Sequence, residues 1–354
     1  VGTNYNWMAE NKKQHYIPKF YLKLFSNNQL NTHVKIFVKS TNKIIPYGDL
    51  KNQAYENYFY GKDTKIEKEF SKIEDEVSRI VIDIIDFKKL PKPKDEDYKT
   101  LWFFTFLQNS RTKFSADETN EMIDQTFKTI FKDDKRFKEK IDEVKFGYDN
   151  PVFLNLDTLT NTILVTKDLK CKLIVNQTKK PFVTSDNPII LYNQFLEQRK
   201  HQFGKCGLAS KGLQVFYPIN PKLALIYYDE KVYKIGFRKR NDVETFNEKD
   251  IESLNILQFL NSDKVIYSNE KASDYYLETL MEKSLKFNTS RGSDINEYPK
   301  ITNDDGTSSV ILQNQKKDLE TNLNLSFIKQ TSHGKSYKMS GYVAELRNEE
   351  IRNR

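Results

Sequence analysis

The segment KIEKEFSKIEDEVSRIVIDII, residues 65–85, restricts this chain more than any other stretch. Ile66, Phe70, Ile73, Val77, Ile80 and Ile84 recur at alternating steps of four and three. That spacing draws one apolar stripe along a helix of about six turns, with charged residues on the other face. The proline-broken connector KKLPKPKDED, 88–97, then ends in acids suited to a helix N-terminus. The next helix, over roughly 96–113, carries LWFFTFLQNSRTK and is apolar on nearly all sides from 101 to 107, so a central, buried position is expected. One or two further helices are expected over 116–145 and another over 155–166.

Two stretches read differently. VKIFVKSTNKIIPYG, 34–48, is a hairpin around a Ser-Thr-Asn turn, and from about 170 the texture turns to strands in KCKLIVNQ, KPFVTSDNPIIL, GLQVFYPINP and KLALIYYDE. A helix over 248–262, a short strand KVIYSN and a helix over 274–286 follow. The class is α+β: a helical N-terminal lobe packed on a strand-rich C-terminal lobe with a mixed or antiparallel sheet. We expect a single two-lobed domain over 12–286, mainly helical with an N-terminal hairpin to about 167 and strand-rich from about 168. Residues 287–354 read as a polar extension of loops and weak strands.

With 354 residues, 38% hydrophobic and 30% charged, the chain is globular and long enough for a sizeable core. Its net charge of +8 favours polyanions, mildly, since 57 basic side chains face 49 acidic ones. Two cysteines, Cys171 and Cys206, fit a reduced compartment better than a disulfide framework. The four histidines are scattered, so a zinc site is not indicated. The longest apolar run, 101–107, is far too short to span a bilayer, and the first residues lack an apolar signal segment. A cytoplasmic protein is the expectation; oligomeric state stays open.

Three stretches could carry chemistry. In QHYIPKFYLKLF, 14–25, Ile17 is held extended by Pro18, which can open a helix that sets Phe20 and Leu24 on one face. His15 stands just outside that helix start, where a neutral ring able to accept a proton is expected. It reads as a general base or acid or a phosphate contact, or else as a buried ring bonded to a carbonyl. Lys19, after the proline, joins as a phosphate-binding candidate. In LQNSRTK, 107–113, Gln108 and Arg111 share a helix face, and a guanidinium beside such an apolar helix needs a carboxylate, carbonyls or a ligand phosphate. It could equally serve the helix's free carbonyls. In PFVTSDNPIIL, 181–191, Asp186 could bind a divalent cation (Mg or Mn) or orient a histidine, and Ser185 or Asn187 could donate to a phosphate or oxyanion. The plain alternative is a capped turn. No Walker loop, GxGxxG, HExxH, GxSxG or EF-hand loop occurs.

Together, HYIPKFYLKLF, QNSR at 108–111, FVTSDNP at 182–188, YPINPKLALIYYD, LNILQFL and VIYS resemble the signature of a mainly microbial family of unknown function, DUF 4238. The likeness spans roughly 12–275. Lys113 stands where the family commonly has proline. The resemblance implies that His15, Gln108, Arg111 and the 184–187 turn meet at one site, and its general character suggests bacterial defence against phage. The function expected is a phosphodiester hydrolase, a nuclease or nucleotide hydrolase. His15 and Asp186 would be catalytic, and Gln108, Arg111, Ser185, Asn187 and Lys19 would hold phosphate. The basic clusters Arg199–Lys200 and Arg238–Lys239–Arg240 would add backbone contacts. The alternative is a non-catalytic nucleic-acid- or protein-binding module whose polar cluster ties the N-terminal segment to the sheet.

Overall fold

A computed structural model describes residues 12–27, 31–62, 65–137, 139–201, 204–287, 292–302, 305–306, 308–339 and 345–348. The amphipathic stretch forms α2 (Lys65–Phe87), after a short α1 (Lys19–Lys23), and buries Phe70, Val77, Ile80 and Ile84 as its stripe requires. The central helix α3 (Glu96–Ser110) buries Leu101, Phe104, Phe106 and Leu107 together with Thr105 and Gln108. It stops at 110 rather than 113 because Thr112 caps the next helix, α4 (Lys113–Phe131), accepting 3.1 Å from the Ser115 amide. Among the described residues α4 is the only α-helix over 116–145. Past its end at Phe131, Asp134 takes the Arg136 amide in a local turn. Pro151 opens α5 (Pro151–Thr162), four residues before the expected start.

The strands build two larger sheets. One is mixed, in the order β11 (Asp242–Thr245), β5 (Lys170–Asn176), β9 (Leu223–Tyr228), β8 (Gln214–Asn220), β7 (Ile190–Tyr192), with only β11–β5 parallel. The other is antiparallel, in the order β3 (Lys43–Asp49), β2 (His33–Val38), β12 (Val265–Ser268), β6 (Thr184–Ser185). The fold is α+β, with helices mainly in the N-terminal half and strands mainly in the C-terminal half. The halves interlock, because the N-terminal hairpin β2–β3 completes its sheet through β12, more than two hundred residues on. Helix α6 (Gln194–Gln198) follows β7, helix α7 (Glu248–Asn261) leads into β12, and α8 (Asp274–Ser284) packs on α7.

The fold also continues past 286. The paired ribbons β13 (Ser293–Glu297) with β16 (Leu312–Lys316), and β14 (Ile301–Thr302) with β15 (Ser308–Ser309), match the weak strands expected there. Beyond them Leu323, Leu325, Phe327 and Ile328 enter the core, and β17 (Ile328–Gln330) pairs with β10 (Tyr233–Ile235) before α9 (Ser332–Ser336). Arg347 is buried, bonded to Asp168 and to the carbonyls of Val165, Leu208 and Ser210. Parts of 319–339 and 345–347 thus pack against the elements before 286, past the expected boundary. Their few apolar side chains are spaced by polar ones, which hid them in a polar-looking tail.

Candidate functional site

The histidine lies at the end of β1 (Lys13–His15), which pairs antiparallel with β4 (Tyr55–Asn57) so that His15 faces Tyr55. Pro18 then fixes the turn into α1. His15 Nδ1 stands 2.9 Å from the Gln53 carbonyl, which can only accept, so Nδ1 carries the hydrogen and Nε2 the lone pair. Nε2 is buried and has no hydrogen-bond partner among the described residues. Burial first, then the Lys19 charge, bring the ring's pKa down to about 4 against the opposing pull of the Gln53 bond. The ring is neutral at pH 7, as expected, but the cause is desolvation rather than a helix end. Lys19 itself is exposed. On α1 and just past its end the deeply buried side chains are Tyr21, Leu22 and Phe25, with Phe20 and Leu24 only partly covered.

Arg111 follows α3 and is 0% exposed. Its Nε donates 3.0 Å to Gln108 Oε1, and Gln108 Nε2 donates 2.9 Å to the Tyr16 carbonyl. The cation lies over Phe70 (4.9 Å) and Phe104 (5.6 Å). Its Nη2 forms an ion pair at 2.8 Å with Glu74 on α2. Burial pulls this guanidinium's pKa down, but Tyr60 and then Glu74 outweigh it, and the net shift is upward. The required carboxylate is thus Glu74. Neither Gln108 nor Arg111 reaches solvent.

The 184–187 turn is buried as well. The ladder to β12 covers only Thr184–Ser185, so the buried backbone on either side must find other partners, and three side-chain amides of α7 supply the bonds. Asn255 donates 2.8 Å to the Pro181 carbonyl and accepts 3.0 Å from the Val183 amide. Gln258 donates to Ser185 Oγ and to the Asn187 carbonyl, and Asn261 reaches the carbonyls of Asn187 (2.7 Å) and Ile189 (2.9 Å). Ser185 Oγ also accepts 3.0 Å from the Asn187 amide, which leaves it a turn brace. Asp186 accepts three backbone hydrogens, from Asp263 (2.9 Å), Lys264 (2.7 Å) and Val265 (3.1 Å). Burial nonetheless pushes its carboxyl up to about 6, those amides pulling the other way.

The three stretches do converge, through atoms that were not singled out. The Tyr16 carbonyl joins the first stretch to Gln108. Tyr21 OH lies 2.6 Å from both Thr184 Oγ1 and the Pro218 carbonyl, joining it to the third. Thr112 Oγ1 approaches Asn187 Oδ1 at 3.4 Å. His15 and Asp186 share no bond: Gln53 orients the ring, and the charges acting on it are Lys19 and Lys13. Asp186 acts instead on Tyr16, whose phenol is raised by burial and then by Asp186, Asp263 and Glu56. A pocket of about 270 Å³, lined in part by Asn109, Ser115, Asn187, Cys206, Asn261 and Lys317, opens beside the turn. Among the described residues no group of three His, Cys, Asp or Glu side chains stands placed to hold a metal ion. No helix among them is long and apolar enough to cross a membrane.

Of the basic clusters, Arg199 packs over Phe195 at 3.8 Å and donates to the Gly334 carbonyl, and Arg240 pairs with Asp242. Lys200, Arg238 and Lys239 make no ion pair with a described residue. The α7 amides were missed although Asn255, Gln258 and Asn261 recur every three residues among the otherwise apolar positions of LNILQFLN, 254–261, a legible sign of buried polar work. Glu74 could not be picked from the charged face of α2, where it is one carboxylate of several.

No curated protein matches this chain, and no solved structure does. The family model described as "Protein of unknown function (DUF4238)" matches residues 13–272, which takes in all three stretches. The chain belongs to the DUF4238 family.

Proposed function

We propose that this protein is a non-catalytic nucleic-acid-binding module, in which the three signature stretches form a clasp. One observation carries the reading: the polar atoms that a phosphate-handling site would use are spent inside the fold. Gln108 bridges Arg111 and the Tyr16 carbonyl, Ser185 braces a turn, and Asp186 takes three backbone hydrogens. The partner class follows from the net charge of +8, which attracts polyphosphate over long range. A role in bacterial defence against phage is compatible with such binding.

A second reading, a phosphodiester hydrolase with His15 as general base and Mg or Mn as cofactor, draws on the uncommitted Nε2 of a neutral ring. The burial of that nitrogen counts against it. The test is cleavage of tRNA, single-stranded RNA and double-stranded DNA, with and without Mg²⁺ or Mn²⁺, alongside His15→Ala and Asp186→Ala. The module reading expects no cleavage and a lowered melting temperature in both variants. Cleavage that disappears in a folded His15→Ala protein would establish the hydrolase instead.

A further inference from the structure

The strands β5, β9 and β10 border a cleft of about 340 Å³, walled by Tyr228 and Tyr233 and lined by Lys170, Lys231, Lys234 and Arg238. One carboxylate, Glu230, lines it too, and Lys170 already holds it at 3.2 Å. Lys231, Lys234 and Arg238 make no ion pair with a described residue. The antiparallel pairing of β10 with β17 sets Lys329 directly opposite Lys234, both exposed. Like charges facing across a two-stranded ribbon weaken it, so the fold keeps a repulsion there that a lysine–glutamate pair would remove.

Behind the same strands Lys172 is buried, and its Nζ bonds carbonyls rather than a carboxylate: Ile235 at 2.7 Å and Phe237 at 2.6 Å. Its charge adds to the positive potential of the wall, and its bonds pin the turn that presents Arg238 and Phe237. Phe237, next in the chain to the lining residue Arg238, is 76% exposed and without ring contacts of its own among the described residues. Concentrated cations facing a concavity, with an exposed aromatic adjoining Arg238 in the chain, are what a threaded polynucleotide strand needs: phosphates for the lysines and a base for the ring.

We propose that this cleft binds the sugar–phosphate backbone of single-stranded nucleic acid and that Phe237 stacks against a base. The proposal rests on the nucleic-acid-binding reading above and adds the surface and the strand type. The experiment is fluorescence anisotropy of the full chain with labelled single-stranded RNA and DNA 12-mers and a DNA duplex, across 50–200 mM salt. The variants are Lys234→Glu, Arg238→Glu, Lys329→Glu and Phe237→Ala, with Lys43→Glu on the other sheet as control.

Affinity for the single strands should fall at least tenfold over that salt range. Each cleft reversal should weaken binding several-fold and flatten the salt slope, while Lys43→Glu changes little. Phe237→Ala should weaken single-strand binding at least fivefold and leave any duplex binding alone. Lys329→Glu should also melt at or above the temperature of the unaltered chain, which separates lost binding from lost folding. Binding that responds no more to the cleft reversals than to Lys43→Glu overturns the cleft and leaves the module reading standing. Absence of binding to all three probes overturns both. Equal single-strand and duplex affinity, indifferent to Phe237, overturns the strand type.

Discussion

Replacing His15 by asparagine isolates the electrostatic consequence of burying its ring. The amide can place an N–H near the Nδ1 position and keep the bond to the Gln53 carbonyl, while removing the titrating group. In the fold the ring's pKa is about 4, against an ordinary value of 6.5. Between those values the unfolded chain binds the proton more readily than the native one. Stability from this group therefore rises with pH across the window, is fully present above about 6.5, and is lost as pH falls through about 4. At about 1.4 kcal/mol per pH unit the gain approaches about 3 kcal/mol, and solvent screening of the part-buried ring lowers it toward about 2 kcal/mol. Denaturant unfolding of both proteins at intervals from pH 4 to pH 7 measures it. His15→Asn should gain about 2 kcal/mol less than the unaltered chain over that range. Parallel profiles would refute the reasoning, because a ring that does not change its proton affinity on folding is not desolvated.

Asp186 should act with the opposite sign: its carboxyl is raised by burial from 3.8 to about 6, so the stability it contributes falls as pH rises through that interval. In Asp186→Asn the gain in stability between pH 4 and pH 6 should be larger than in the unaltered chain, measured by the same titration. Arg111→Ala should cost about 3–5 kcal/mol in denaturant unfolding, since it strands Gln108 and Glu74 and empties a cage of aromatic rings. Arg111→Lys should recover little of that, lacking the planar fork. Tyr21→Phe should cost about 1–3 kcal/mol by leaving Thr184 and the Pro218 carbonyl short of a partner in the core. A thermal melt that does not move would contradict that account.

Local patterns decided a great deal here. The stripe from Ile66 to Ile84 specified α2, the unbroken apolar run specified a buried α3, and Pro18 specified where α1 begins, because period and proline geometry act within a few residues. The three signature stretches were legible as a set, and so was the family. The roles within them were not. Whether Arg111 meets a ligand phosphate or Glu74, and whether Asp186 orients His15 or caps the loop before β12, depends on which distant backbone arrives beside them. The Gln108–Tyr16 bond spans 92 residues and the Tyr21–Thr184 bond spans 163, and no periodicity reaches that far. The same holds for the cleft, where Lys234 and Lys329 become neighbours only because β17 returns to pair with β10. Sequence sets which face of each element is apolar; only the packed chain decides which polar groups are then left to satisfy one another and which remain free for a partner.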